Sequence, residues 1–319
     1  MNLTQHSFNL LLKKNSLFEN NPKVAVATSG GPDSMALVFL VNQWIRNKKG
    51  SLIALIVDHQ IRSDSSLEAN QVSKYLSKFN IECKILKVAK NKINKKNMKE
   101  ARENRFKKLN SFCRKKRILH LFVAHHLDDN IETFLLRKIA GSNFEGLRSI
   151  QDIVFNHNLQ IIRPFLNLEK KNILQYNIKN NIFFVKDPSN YNLKYSRSSI
   201  RDFLLKNKKH KNQILKDFKT IKKYFPNYRK MIFKILHLLT IRISKRNISI
   251  KSINFFKYDQ EIQIKIIELI YRFLMPNRDF LRHKKISNSL AKLEASNESK
   301  TNLGGMSIKK DHFLINFSY

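Results

Sequence analysis

Glycine is scarce in this chain, with seven residues in 319. Cysteine is scarcer, with two, and acids are outnumbered, with 24 Asp and Glu against 61 Lys and Arg. Cys83 and Cys113 lie 30 positions apart with no CxxC spacing, which argues against a disulfide framework and against zinc or iron–sulfur ligation. Buried, inert thiols are expected. No apolar run approaches the roughly 18 residues of a membrane span, and the opening MNLTQHSFNLLLKKNSLF is too polar for a signal peptide. A cytoplasmic protein without a membrane partner is expected. The shortage of acids leaves a formal net charge of +37, which points to a polyanionic partner, since Lys and Arg that neutralise phosphates release counterions. Lys, Asn and Ile abound along the whole chain, so part of that charge has a compositional source.

Length predicts two domains, and 42% hydrophobic residues supply a sizeable core. The first 165 residues alternate apolar runs with helical patterns. Strands are expected at 23–28, 52–57, 81–88, 118–124 and 159–162, and helices at 35–44, 65–79, 98–116 and 129–139. Continuous apolar strands joined by helices predict an α/β fold with a doubly wound parallel sheet, whose ligands sit beyond the strands' carboxyl ends. From Leu168 the pattern turns helical and basic, at 168–179, 196–205, 213–224, 230–242 and 260–274. Its Phe and Ile recur at the spacing of packed helix faces. The tail MSIKKDHFLINF alternates weakly and is expected to close a small sheet, while Lys90 to Lys99 is expected to form a mobile loop. The division expected is a catalytic domain over 1–211 and a smaller, mainly helical basic domain over 212–319 that binds RNA.

Two of the seven glycines stand side by side in Lys23 to Ser34, KVAVATSGGPDS, where a strand passes into an amphipathic helix. Glycine lets a turn tighten and lets a phosphate approach the backbone. Pro32 suits the first helical position, and the free amides and dipole of a helix start attract pyrophosphate. No Lys follows the glycines as in a Walker loop, and the spacing is not GxGxxG. The plain alternative is a strand-to-helix turn capped by Ser or Asp. In this context Ser29-Gly30-Gly31-Pro32-Asp33-Ser34 resembles the signature of the PP-loop ATP pyrophosphatases, which implies ATP cleaved between its α and β phosphates.

Four more segments extend the resemblance: Val57-Asp58-His59-Gln60-Ile61-Arg62; Asn97 to Arg102 with Arg105-Phe106; Ala124-His125-His126-Leu127-Asp128-Asp129-Asn130-Ile131-Glu132-Thr133; and Asp187-Pro188-Ser189-Asn190 with Tyr195-Ser196-Arg197 and Ile200-Arg201. In this order they resemble the tRNA(Ile)-lysidine synthetase family from about residue 20 to 205. Lys186 departs from the family's acid, and Ser198-Ser199 from its Asn.

The resemblance implies ATP and Mg²⁺ as cofactors, and L-lysine and a CAU-anticodon isoleucine tRNA as substrates. It also implies adenylation of cytidine O2 followed by attack of the lysine amine on C2. Ser29, Gly30, Gly31, Pro32, Asp33, Ser34, Asp58 and His125 are then expected at ATP, with Asp33 as the metal ligand. Asp33, Arg102 and Asp129 are expected in catalysis, and Arg62, Arg105, Arg197 and Arg201 at tRNA or substrate. Asp128 fits the helix N-cap better, which favours Asp129 as the carboxylate facing the amine. As neighbours on a strand, His125 and His126 point to opposite faces and cannot share one metal ion. A PP-loop tRNA thiolase and a non-catalytic RNA-binding protein are the competing readings, and a homodimer stays open.

Overall fold

The computed structural model describes residues 2–15, 18–58, 65–88, 98–156, 158–185, 196–276, 278 and 281–319. The chain divides into two compact units, Met1–Ile221 and Lys222–Tyr319.

In the first unit the strands are β1 (Lys23–Thr28), β2 (Ser51–Asp58), β3 (Glu82–Lys87), β4 (His120–Val123), β5 (Ile153–Asn156) and β6 (Leu159–Ile162). The helices are α1 (Gln5–Asn15), α2 (Pro32–Arg46), α3 (Ser65–Ser77), α4 (Met98–Lys115), α5 (Leu127–Ile139), α6 (Lys170–Lys179) and α7 (Ser196–Lys206). One sheet runs β3-β2-β1-β4-β6-β5, parallel throughout except for β5, which pairs antiparallel with β6. Alternation along the strands sends side chains to two cores. Val24, Val26, Ala54, Ile56 and Phe122 pack with α1, α2, α3 and α6, while Ala25, Ile53, Leu55, Leu121 and Ile161 pack with Leu109 and Cys113 of α4. The doubly wound α/β expectation holds. Strand order reverses at β1, whose neighbours are β2 and β4, and such a reversal opens a crevice at the carboxyl ends.

Two elements of this unit were not expected. The edge strand β5 exposes Val154 and Phe155, and its short apolar run Ile153-Val154-Phe155 is placed by antiparallel pairing with β6 rather than by burial. The short helix α1 buries Phe8 and Leu12 within a largely polar segment.

Helix α8 (Lys208–Leu239) contains the division between the units. Residues 213–224 and 230–242 were expected as two helices. They form one through Pro226, and the chain leaves it at Leu239 for a strand. A proline removes one backbone donor and crowds the preceding turn, yet Phe218, Phe225, Ile232, Ile235 and Leu239 stay buried along one face.

The second unit continues with β7 (Thr240–Ile243), β8 (Asn247–Lys251), α9 (Ser252–Phe255), α10 (Gln260–Leu274), α11 (His283–Glu294), β9 (Ser299–Leu303), β10 (Met306–Lys310) and β11 (Leu314–Ser318). Its sheet, β7-β8-β11-β10-β9, is antiparallel throughout. The tail does enter a sheet, one of five strands that includes β7, whose first residues were expected to end the 230–242 helix, and β8, from a stretch with no assigned element. Gly304 and Gly305, with φ of 61° and 93°, make the two-residue turn between β9 and β10, where positive φ suits the strands' twist. No described helix is long and apolar enough to cross a membrane.

Candidate functional site

The Ser29–Ser34 turn leaves the carboxyl end of β1 and opens α2. Gly30 has φ of 82°, and a Cβ there would stand 2.8 Å from Cγ2 of Val72, so both backbone and space require glycine. Two crossed hydroxyls fix the turn. Ser34 Oγ accepts from the Ser29 N–H (3.1 Å) and donates to the Gly31 carbonyl (3.0 Å), and it lies 3.2 Å from Ser29 Oγ. From outside, the Val185 N–H donates to the Gly30 carbonyl (2.9 Å) and Asn177 Nδ2 to the Pro32 carbonyl (2.7 Å). These contacts occupy carbonyls. The N-cap, Gly31, offers no side chain to the first amides of α2, so they remain donors for an anion.

Beyond β4 the chain turns into α5, and His126 rather than Asp128 is its N-cap. The Asp129 N–H donates to His126 Nδ1 (3.3 Å) and the His126 N–H to Asp129 Oδ2 (3.0 Å), closing a capping box. Asp128 instead accepts from the Lys170 N–H (2.9 Å) and from Lys211 Nζ (2.8 Å). Burial alone would raise its pKa, but these donors hold it below the usual value. His126 Nε2 lies 3.5 Å from Asp129 Oδ2 and 3.8 Å from Asp33 Oδ2. The imidazole therefore joins the PP-loop acid to the α5 acids. Among the described residues, Oδ1 of Asp33 is buried without a hydrogen-bond partner, and burial pushes the Asp33 pKa up despite the nearby His126 and Lys170.

His125 turns the other way, towards guanidinium groups. Arg163 Nε donates to its Nδ1 at 3.1 Å. Burial, with the charges of Arg163, Arg102, Arg105 and Arg197, holds its pKa well below the usual histidine value. The arginines press on one another as well. Burial, Arg102 and Arg197 lower the Arg105 pKa to about 10, and burial and Arg102 lower that of Arg163 to about 10. Burial lowers that of Arg102, with Arg197 and Arg137 adding and Asp129 opposing. So many mutually repelling guanidiniums, with Asp129 and Asp152 as the opposing acids, suit a multiply charged anion.

Of the residues singled out from sequence, the loop, Asp33, His125, Asp129, Arg102, Arg105 and Arg197 gather beyond β1 and β4 or interact electrostatically with groups there. Asp58, buried at the end of β2, is engaged by the hydroxyls of Ser65 (2.9 Å) and Ser66 (2.6 Å). Arg201 grips the buried Glu132 through Nε (2.7 Å) and Nη2 (3.1 Å). Arg62 lies outside the described residues, as do the rest of 59–64, the segment 89–97 and residues 186–195. Sequence reasoning passed over Arg137, Arg163 and the bridging role of His126. Arg163 had one visible signal, its place directly after β6.

Residues 2–208 match the PP-loop domain family, and the chain belongs to it; membership indicates use of ATP. It is similar to the tRNA(Ile)-lysidine synthase of Orientia tsutsugamushi (strain Boryong), 39% identical over 181 residues, or 57% of this chain and 41% of that protein. The enzyme of that name from Wolbachia pipientis wMel is 40% identical over 185 residues, covering 57% and 43%. That of Rickettsia bellii (strain OSU 85-389) is 37% identical over 178 residues, covering 56% and 41%. The chain thus spans about two fifths of the length of these curated relatives. Among solved structures, the U34-tRNA thiolase NcsA from Methanococcus maripaludis with its [4Fe-4S] cluster shares the fold. Its TM-score is 0.56 at 22% identity, covering 69% of this chain and 78% of that one.

Proposed function

We propose that the chain is an ATP-dependent RNA ligase that joins lysine to C2 of the wobble cytidine in a CAU-anticodon isoleucine tRNA, giving lysidine and changing the codon read from AUG to AUA. One observation carries the reading. An uncapped phosphate turn and two acids, Asp33 and Asp129, meet through His126 beyond the ends of β1 and β4, in a chain similar to tRNA(Ile)-lysidine synthases.

The chemistry divides into two steps. Oxygen O2 of cytidine attacks the α phosphate of ATP, pyrophosphate leaves, and O2 becomes part of a phosphate leaving group. The lysine ε-amine then attacks C2, the C2–O2 bond breaks, and AMP departs. The first step concentrates negative charge, which the amides after Gly30 and the guanidiniums of Arg102 and Arg105 offset. The second needs a free amine, whose pKa of about 10.4 calls for a carboxylate to hold or take its proton. Asp129 takes that part. The buried, unpartnered Oδ1 of Asp33 fits a hard cation such as Mg²⁺, which prefers oxygen ligands and would draw charge from the pyrophosphate. Arg197 and Arg62 are assigned to RNA. Arg201 is assigned to RNA through the face left open by Glu132, and Asp58 to the rim of the nucleotide site.

This reading places the enzyme in the cytoplasm with tRNA. A thiolase would pass sulfur through cysteines or a cluster, whereas Cys83 packs with the first core and Cys113 lies within the second, across the sheet. The test is transfer of labelled lysine to purified tRNAs with ATP and Mg²⁺. Transfer only to the CAU isoleucine species supports the proposal, and no ATP-dependent transfer to any tRNA refutes it.

A further inference from the structure

Strands β4 and β6 are neighbours in the sheet, with Phe122 opposite Ile162. Both chains leave the sheet on the same side, and Arg163 follows directly after β6. The residue is 9% exposed. Its Nη1 donates to the Gln151 carbonyl (2.9 Å) and its backbone N–H to the Asp152 carbonyl (2.8 Å). Held in this way, it turns Nε onto Nδ1 of His125 at 3.1 Å. A guanidinium has donors and no acceptor, so Nδ1 of His125 must be the unprotonated nitrogen. The ring's proton is then on Nε2, which takes no partner among the described residues.

We propose that Arg163 is a positioning residue, which fixes His125 as a neutral Nε2–H donor aimed at a phosphate oxygen in the guanidinium-rich site. The inference rests on the proposed use of ATP for its ligand, but the tautomer itself does not. Four cations face the imidazole: Arg163 after β6, Arg102 and Arg105 on α4, and Arg197 on α7. They keep a second proton off the ring, so His125 contributes direction rather than charge. Without Arg163 the ring is free to rotate and to exchange tautomers, and one of the four charges that oppose its protonation is gone.

The test uses the full chain with ¹⁵N-labelled histidine, the His125 signal being identified by its loss in His125→Gln. Long-range ¹H–¹⁵N correlation should show the Nε2–H tautomer at pH 8 and a ring still neutral at the ordinary histidine value of about 6.5. An Nδ1–H tautomer, or titration near the ordinary value of about 6.5, overturns the proposal. ATP binding is then measured against pH. Arg163→Met should bind about tenfold more weakly at pH 8 and recover only below the ordinary histidine value of about 6.5, because burial, Arg102, Arg105 and Arg197 still oppose protonation of the freed imidazole. Arg163→Lys, which keeps a donor, should stay within about threefold of the parent. Equal, pH-independent affinity for Arg163→Met and the parent overturns the proposal. If the parent does not bind ATP, the functional reading fails while the tautomer still decides the role of Arg163. If Arg163→Met does not fold, the parent's tautomer and Arg163→Lys decide it.

Discussion

The two units handle charge differently. Residues 1–221 bury Asp58, His126, Glu132 and Arg163 around the strand ends. In residues 222–319 the buried charged side chain among those described is Lys265, which is paired with Glu268 at 2.8 Å, while the buried phenol of Tyr271 donates to the Gly304 carbonyl at 3.3 Å. The core of this unit is built from Ile250, Phe255, Ile267, Leu290, Ile308 and Phe317, and the other buried polar side chains described there, Ser249, Ser252, Gln263 and Ser289, are uncharged. Net charge does not separate them, because the first carries 41 Lys and Arg against 17 acids and the second 20 against 7. Composition therefore suits both units alike to a polyanion, whereas buried charge, which marks candidate sites for chemistry, gathers in the first.

The largest test of this contrast removes the site acids. Asp33→Asn and Asp129→Asn should each lower ATP-dependent lysine transfer by about 10³-fold or more, the scale of losing a preorganised electrostatic contact, while filter binding of tRNA persists. Near-normal turnover in either variant would remove that residue from the mechanism.

Arg201→Met comes next. It leaves Glu132, with 2% side-chain exposure, as an uncompensated buried charge, at a cost of about 3–5 kcal/mol measurable by urea denaturation. A loss under about 1 kcal/mol would mean that the pair behaves as a surface bridge.

Exposed lysines of α8 in the second unit sharpen the other side of the comparison. Changing Lys223, Lys230 and Lys234 together to Gln should weaken tRNA binding about tenfold, or about 1.4 kcal/mol. It should also flatten the slope of log affinity against log salt by about 2 to 3. An unchanged slope would make these lysines compositional rather than functional.

The smallest effects should have opposite signs. The Asp128 carboxyl is held below its ordinary pKa by Lys170 and Lys211 against the effect of burial. Its stability contribution is complete above about pH 4, the unfolded value, and is lost as pH falls through the lower folded one. Asp128→Asn should therefore cost about 1–2 kcal/mol at pH 7 and flatten the acid limb of the stability curve. The Asp33 pKa is raised by burial, so its charge destabilises the fold at neutral pH and protonation relieves this as pH falls. Asp33→Asn should stabilise by up to about 1 kcal/mol. Thermal unfolding of the two variants at pH 7 reads both signs, and destabilisation by Asp33→Asn would show that the carboxylate is better satisfied than its orphaned oxygen implies.

The sequence was most legible where one local signal decides the structure. Strands β1 and β6 have the expected bounds because they are short, apolar and buried on both faces. The PP-loop was legible because glycine is rare and φ at Gly30 demands it. What escaped depends on tertiary partners. Strand β5 exists through pairing with β6, and α8 runs through Pro226 because its buried face outweighs one lost backbone bond. At the site, Asp128 met the local rule for an N-cap, yet the histidine two positions earlier took that place and left Asp128 for Lys170 and Lys211. The contact between Arg163 and His125 spans 38 residues, and no local pattern encodes it.

The placement of the two thiols makes the protein its own reporter of motion. Cys113 is inaccessible and its pKa is pushed up to about 12 by burial, whereas Cys83 is partly exposed, and residues 222–319 contain no cysteine. Alkylation at neutral pH should thus proceed in two phases. Cys83 would report breathing near the β3 edge, and Cys113 would report opening of the layer between the sheet and α4, the helix that carries Arg102 and Arg105. Because the second unit contributes no signal, slowing of the later phase by ATP would measure how far nucleotide binding tightens the arginine-bearing face.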